Sequence, residues 1–460
     1  MNSQKEENEK QAKQDRILSK LRLSDSPDPS IEVQDVIDMF EVSPPTAYKI
    51  INSMINDHCL HKENKKIKLL SSFYSLIGLS IGTTICKISF VNFNFDRFNK
   101  ADFSLHKIEL ISRINNIICN IYKKEADELL IECKKSEKHN YIFFKTPDNI
   151  ELLKAIIDTL LDYIIDAINN EQLHVLCIGI ACTGTINYQT QTIEDSHSLK
   201  WLQFRGIDTL LLPDKVSFCN NNNIHISLVQ NSVASVIAEK VDLYKRNDIP
   251  KIHKNDQNIA ALYLEFGINV GIYLDKLYCG KGYTGEAGHL PSPPIEMEDK
   301  YKILTQNTST NDHCTCGNSD CYEFKIRKYC FNDFYITTGT DDNKIKIPKD
   351  FKDASASEIE EFLQNEPLKA DLLGEYIGSM INMLTGLLDV NCIILTGKLY
   401  KSKEEIQNAI DIGQDRSRLV HSRRNCPIIY SRYGSSAPSI GAALYAYKEK
   451  YKLDFKWDIE

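Results

Sequence analysis

The sequence predicts an α/β protein in which a two-lobed RNase-H-like (actin-like) domain follows a small winged helix-turn-helix. Three observations point there. The segments SLIGLSIGTTICKISFVNF, from Ser75, and IAALYLEFGINVGIYLDKLYCG, from Ile259, each read as two strands joined by a Gly-bearing turn. Apolar strand patterns recur beside long helical ones, at 150–186 and again at 375–399, which is the texture of a layered α/β fold. Three short helical patterns and a polar-tipped strand pair occupy the first 70 residues. These signals divide the chain into residues 1–70 for the helix-turn-helix and 71–460 for the larger domain. Lobe one is expected at about 71–190 plus the C-terminal helix, and lobe two at about 191–440.

A chain of 460 residues has room for two or three domains. Its formal charge of −8 and pI of about 5.8 give no global basic field of the kind that marks a nucleic-acid binder. Fourteen cysteines scatter without the paired spacing of an extracellular disulfide scaffold. The polar opening MNSQKEENEKQAKQDR predicts no signal peptide. No apolar run reaches the ~18 residues of a membrane span. The expected setting is the reducing cytoplasm, away from membranes.

In the first segment, Gln11 to Leu21 is helical, with Ile17, Leu18 and Leu21 on one face. SDSPDPS at 24–30 breaks it, because each proline disfavours helix in the residue before it. Glu32 to Phe40 forms a second helix with Val33, Val36, Ile37 and Phe40 inward. The turn EVSPP leads to a third, Thr46 to Asp57, burying Ala47, Ile50, Ile51, Met54 and Ile55. HCLHKENKKIKLL is the strand pair. In a winged helix-turn-helix the second helix of the turn lies in the major groove. Ser43, Pro45, Thr46, Tyr48 and Lys49 would then face DNA. Residues 1–70 carry 11 Lys/Arg and 12 Asp/Glu, but residues 43–70 hold five lysines against Asp57 and Glu63.

In the larger domain, Gly82-Thr83-Thr84 turns the first hairpin. Asn94 to Lys138 is a lysine- and asparagine-rich excursion with a helix near Ile108 to Ile121 and no assigned role. Tyr141 to Lys145 is the third strand. Ile150 to Asn169 is an amphipathic helix, and HVLCIGIACTGTI a buried strand with its turn at Cys182-Thr183-Gly184. His225 to Lys240 is a strand running into a helix, with Asn231 suited to the helix start. Gly267-Ile268-Asn269-Val270-Gly271 turns the second hairpin. Glu375 to Leu388 is a helix, CIILTGKLY a buried strand ending at Thr396-Gly397-Lys398, and Gly441-Ala442-Ala443 sits in the closing helix.

The densest chemistry lies between Cys279 and Glu323. It begins CGKGYTGEAGHLP, with Glu286 and His289 three residues apart, and ends HCTCGNSDCYE, with Cys314, Cys316 and Cys321 around Gly317. Three thiols and one imidazole make a closed tetrahedral zinc site. His289 is the preferred fourth ligand. His313 is the alternative, although it adjoins Cys314 and neighbouring residues chelate one ion poorly.

This stretch resembles the signature of the ROK family (repressors, open reading frames and sugar kinases). Gly285-Glu286-Ala287-Gly288-His289 fits its Gly-Glu-x-Gly-His element. Cys314-Thr315-Cys316-Gly317-Asn318-Ser319-Asp320-Cys321-Tyr322-Glu323 fits Cys-x-Cys-Gly-x2-Gly-Cys-x-Glu, with Asp320 for the last glycine. An insertion, Pro291 to His313, separates the two. The resemblance runs over about 74–450 in motif order and implies a hexokinase-type ROK fold with sugar held between the lobes. It assigns sugar binding to Gln230, Asn231, Glu286, His289 and Glu323, and the metal to His289, Cys314, Cys316 and Cys321. Ser198-Leu199-Lys200-Trp201 resembles a further element, Asn-Leu-x-x-Trp.

The family's kinase positions are altered. Ser80-Ile81-Gly82-Thr83-Thr84 stands where kinases have Asp-x-Gly-x-Thr, and Thr183-Gly184 where the family has Pro-Gly. Gln230-Asn231 stands for Asn-Asp, whose Asp takes the sugar proton; an amide has no useful basicity. The Gly267–Gly271 turn is bulkier than a Gly-Thr-Gly type. The resemblance therefore implies a sugar-responsive transcriptional regulator, more a repressor than an activator. It would bind operator DNA as a homodimer or tetramer, with structural zinc and without ATP. The rival is an ATP-dependent, glucokinase-like sugar kinase of the family with an appended DNA module. A third reading is a partner-binding scaffold that keeps the fold without a ligand.

Overall fold

The structure is a computed structural model that describes residues 13–14, 16–17, 20–21, 30–56, 60–69, 74–92, 100–122, 141–170, 173–246, 248, 258–305, 313–338, 345–399, 403–417 and 426–452. Leu18, the break at 24–29, the flanks of the 94–138 excursion and the segments 306–312 and 339–344 lie outside the described residues.

The N-terminal segment contains strand β1 (Ser30–Ile31), helices α1 (Val33–Phe40) and α2 (Pro44–Asn56), and strands β2 (Leu60–Glu63) and β3 (Lys66–Leu69). The strands form an antiparallel sheet in the order β1-β3-β2. Asp35 accepts the Glu32 N–H at 2.7 Å and fixes the start of α1. Glu41, at φ 51, ends it. The sequence expected the next helix from Thr46. It begins at Pro44 instead, because the first helical turn needs no N–H from proline. Val36, Ala47, Ile50, Ile51 and Met54 are buried with Ile17, Leu21, Leu60 and Ile67, as their periodicity requires.

The first lobe is built from β4 (Tyr74–Ile81), β5 (Ile85–Asn92), helix α3 (Lys100–Tyr122), β6 (Ile142–Lys145), α4 (Ile150–Asn169) and β7 (His174–Cys182). A two-stranded ribbon follows, β8 (Thr185–Asn187) with β9 (Thr192–Asp195), then β10 (His225–Gln230) and helix α5 (Asn231–Lys245). The sheet order is β10-β7-β4-β5-β6. β10 runs parallel to β7 with Gln230 opposite Cys182, so the first sheet extends to residue 230 and not to the expected boundary near 190. The excursion supplies α3, whose Leu110, Ile111, Ile114 and Ile118 are buried in the same apolar cluster as Leu153, Ile157 and Leu160 of α4.

The second lobe contains β11 (Asn258–Leu264), β12 (Ile268–Leu274), β13 (Lys276–Tyr278), a side ribbon of β14 (Tyr335–Thr338) and β15 (Ile345–Pro348), α6 (Pro367–Leu388), β16 (Cys392–Gly397), α7 (Lys403–Ser417) and β17 (Ile428–Tyr430). Its sheet order, β13-β12-β11-β16-β17, repeats that of the first. In each lobe an antiparallel meander comes first, and two parallel strands then add beside its opening strand. The final helix, α8 (Ala437–Tyr451), crosses α5 between the sheets. A Cβ on Gly441 would stand 1.7 Å from the Ala234 carbonyl oxygen, so only glycine permits this crossing. Among the described residues no helix is long and apolar enough to cross a membrane.

Glu239 lies buried on α5, where its Oε1 accepts hydrogen bonds from Thr396 Oγ1 at 2.9 Å and Ser431 Oγ at 2.5 Å. Burial, reinforced by nearby Asp242, pushes its carboxyl up to about 8 from an ordinary 4.5. A carboxyl raised in this way favours the folded state fully below about pH 4.5. It loses that contribution as pH climbs through about 8. Glu239→Gln keeps a neutral partner for both hydroxyls. Its thermal midpoint relative to the parent should therefore be higher at about pH 8 than at about pH 5, by the equivalent of up to about 4 kcal/mol. The same difference at both values would show that this carboxyl does not titrate there.

Candidate ligand cleft and metal centre

A cleft opens between the lobes. One wall comes from the β4–β5 turn (Gly82, Thr83, Thr84), the end of β7 (Thr183) and the segment Asp195–Ser198. The other comes from the β11–β12 turn and the loop carrying Tyr283, Glu286 and His289, with Glu323 behind. Gln230 and Asn231 sit on the floor, where β10 passes into α5. Of the sequence 267–271, only Gly267 is in a turn. Ile268–Leu274 is strand, with Ile268 paired to Leu264. Gly271 is needed elsewhere: a Cβ there would meet the Ser232 carbonyl oxygen of α5 at 2.1 Å. Backbone packing, not phosphate access, accounts for that glycine.

The two amides have fixed orientations. Asn231 Nδ2 donates to the Ile81 carbonyl at 3.0 Å, and Gln230 Nε2 donates to Glu286 Oε1 at 3.0 Å. Their oxygens, Gln230 Oε1 and Asn231 Oδ1, are buried and take no hydrogen bond from the described residues. Thr183 Oγ1, Ser196 Oγ and Ser232 Oγ are in the same state. Glu286 is set by its loop, which docks on β12 through Val270 N–H to Gly285 O at 2.8 Å. Burial raises its carboxyl, with His289, His197 and Gln230 acting against the shift. Glu323 also lines the cleft, but its oxygens are engaged. Oε2 accepts the Ile268 N–H at 3.2 Å and Oε1 lies 3.5 Å from the Arg327 guanidinium. Burial raises this carboxyl too, against the pull of Arg327.

Beside the cleft, His289, Cys314, Cys316 and Cys321 bring their ligand atoms within 4.8 Å of one another. His289 Nδ1 is 3.5 Å from Cys314 Sγ, and the sulfurs of Cys316 and Cys321 are 4.0 Å apart. A tetrahedral ion at ordinary metal–sulfur and metal–nitrogen lengths sets such edges at about 3.5–3.8 Å, so the four side chains fit a metal. The thiol of Cys321, with His289 and Cys316 beside it, holds the Cys314 thiol far below the usual range, while Cys321 is pushed up in exchange. His289 is raised by its contact with Cys314. His313 is exposed and stands outside the group. The insertion does not displace His289, because the two halves of the motif are tied by Tyr322 N–H to Leu290 O at 3.2 Å and Ser292 N–H to Asp320 O at 2.9 Å.

In the N-terminal segment, Ser43, Pro45, Thr46, Tyr48 and Lys49 are all exposed, on α2 and the residue before it. The Ser43 and Thr46 hydroxyls are 2.9 Å apart, and the Lys62 ammonium sits 5.5 Å from the centre of the Tyr48 ring.

Two pairs in the cleft were not anticipated. Asp195 Oδ2 is 3.2 Å from His197 Nε2. Lys87 of β5 donates to the Ser435 carbonyl at 2.6 Å and pairs with Glu265 of the other lobe at 3.7 Å. A lone lysine inside the apolar strand pattern 85–91 was the available signal for the second pair.

Residues 132–449 match the ROK family. The chain belongs to the ROK family. No curated protein matches it. Among solved structures, a ROK family transcriptional regulator, homologue of the E. coli MLC protein, superposes with a TM-score of 0.62 at 15% identity. The match covers 96% of this chain and 97% of that one. A ROK family glucokinase from Streptomyces griseus, solved with glucose and AMPPNP, gives 0.51 at 17% identity, over 81% of this chain and 99% of that one. At these identities the likeness is one of fold. This ROK protein has the mixed α/β architecture common to regulators and hexokinase-type kinases.

The ROK metal centre can be checked directly. Elemental analysis of protein purified without added metal should find about one ion per chain. Cys316→Ser should lose it and lower the thermal midpoint by several degrees, since a bound ion stabilises the folded state by mass action. Full stability without metal would contradict the assignment.

Proposed function

We propose that this ROK protein is a sugar-responsive transcriptional regulator, a repressor, rather than a sugar kinase. The observation that carries the reading is Asn231. It stands at the start of α5, where the family's kinases place their base, and its amide is locked onto Ile81 O. An amide can receive a sugar hydroxyl's hydrogen bond but cannot remove its proton. General-base help is typically worth ~10²–10⁴ in rate. Ser80, near the end of β4 where the family's kinases carry Asp, supports the same conclusion. So does the extent of the structural match, 96% of this chain with the regulator against 81% with the glucokinase.

In this reading residues 1–70 are a winged helix-turn-helix. Thr46, Tyr48 and Lys49 of α2, with Ser43 and Pro45 at its start, meet operator DNA, and two copies in a homodimer or tetramer engage paired half-sites. The sugar lies over Gln230, Asn231, Glu286 and His289, with Glu323 bracing the pocket. Zinc is the ion that three thiolates and an imidazole suit. Held through Nδ1, His289 would keep Nε2 towards Glu286, 3.7 Å away, and so have its tautomer set. Sugar contacts made only when the lobes close favour that state by their difference in affinity. Closure moves the paired helix-turn-helix units off the operator spacing.

The test is operator affinity with and without saturating sugar, the effector being found by a thermal-shift screen of monosaccharides, their N-acetyl forms and their phosphates. The coupling should be about 1–3 kcal/mol and reciprocal, so that DNA weakens sugar binding by the factor with which sugar weakens DNA binding. Glu286→Gln should bind operator yet ignore the sugar, and Lys49→Ala should weaken all DNA binding. If Glu286→Gln releases DNA as readily as the parent, the effector lies elsewhere. A coupled ADP assay over hexoses and hexosamines should show no kinase-like turnover; turnover at ordinary kinase rates would favour the glucokinase-like rival.

A further inference from the structure

We propose that the cleft floor selects a hexose bearing a free ammonium group over neutral, N-acetylated or phosphorylated hexoses; this rests on the sugar-cleft reading above. The argument starts from which way the two amides face. Gln230 Nε2 gives one of its two N–H groups to Glu286 and Asn231 Nδ2 one of its two to Ile81 O, which turns each amide nitrogen towards those partners. What they present is Gln230 Oε1 and Asn231 Oδ1, both buried and without a partner among the described residues. Glu286 adds a carboxylate whose Oε2 faces only the His289 ring, 3.7 Å away. The floor therefore holds two buried acceptor oxygens that no described donor meets, with a carboxylate beside them.

The donors nearby are weak or already engaged. Thr183, Ser196 and Ser232 offer hydroxyls that either give or receive. Lys87 is the one lysine or arginine among the described residues lining the cleft, and its ammonium is held by Ser435 O and Glu265. His197 is paired with Asp195. Arg327 lies behind the wall against Glu323 and Cys314. A phosphate entering here would find no free cation and would face Glu286 and Glu323. An acetamido group would bring a single N–H to these acceptors and no charge. An ammonium brings three donors and a positive charge, and each contact becomes a charge-assisted hydrogen bond.

Calorimetric titration of the full-length, metal-loaded protein tests this. The probes are glucosamine, galactosamine and mannosamine, each against its parent hexose, N-acetyl form and 6-phosphate. At about pH 6.5 one of the amines should bind at least about tenfold tighter than its parent hexose, the factor expected of a hydrogen bond to a charged group. The preference should shrink towards unity at about pH 9, above the value near about 8 at which such amines lose their proton. In Glu286→Gln the ratio at about pH 6.5 should also approach unity, whatever happens to the common affinity. The pH series on the unaltered protein needs no variant to fold. Tighter binding of the N-acetyl form or the 6-phosphate, or a preference that ignores pH, overturns the proposal and leaves the sugar cleft standing. If no saccharide of any class binds, the sugar-cleft reading falls and this proposal with it.

Discussion

The crossing of α5 and α8 is the constraint on which the rest of the structure hangs. Two sheets of the same topology meet through this pair of helices, and they approach so closely that Gly441 stands over Ala234 with no room for a methyl group. Everything in the cleft is placed relative to that contact. α5 begins at Asn231 and α8 at Ala437, so both helices start at the cleft, with Asn231 and Pro438 among its lining residues. The wall segments come from strand ends on either side.

Within that frame the chemistry is divided between rigid and tethered parts. The amides of Gln230 and Asn231 are held by acceptors of the protein itself, which fixes their orientation at the cleft floor. Glu286 and His289 come from a loop fastened at Gly285 and at Leu290, and that loop ends in the four-ligand cluster. Glu323 ties the cluster to the first residue of β12. The candidate metal cluster and the cleft wall thus share His289, and a disturbance of one is felt in the geometry of the other.

The sequence was most informative where chemistry demands rare residues at tight spacing. Cys314, Cys316 and Cys321 could be paired with His289 before any coordinates, since few arrangements of three thiols in eight residues serve another purpose. Strand and helix periodicity located most elements, and the exposed face of α2 agrees with the residues picked from it. Tertiary partners were harder. The stretch 267–271 reads in the sequence as one hairpin turn because glycine is the same letter whether it bends a chain or makes room for a helix; its Gly271 does the latter, within β12. The first lobe's true extent was hidden because β10 joins its sheet after a long excursion, and parallel pairing leaves no local mark. Lys87 and Glu265 are far apart in sequence, and nothing local announces that they meet.

That last pair gives the molecule two regions that answer differently to its solvent. Lys87 and Glu265 join the lobes at 3.7 Å with side chains only 7% and 17% exposed. Dissolved ions reach such a pair poorly, and their field decays over about 8–10 Å of water that is absent there. Lys49 of α2 and Lys62, Lys65 and Lys66 of the strand pair behind it stand in open solvent, where the same ions act at full strength. Ionic strength therefore reaches the outer lysines while leaving the force between the lobes nearly untouched, so the larger domain is insulated from a variable to which its neighbour is fully exposed.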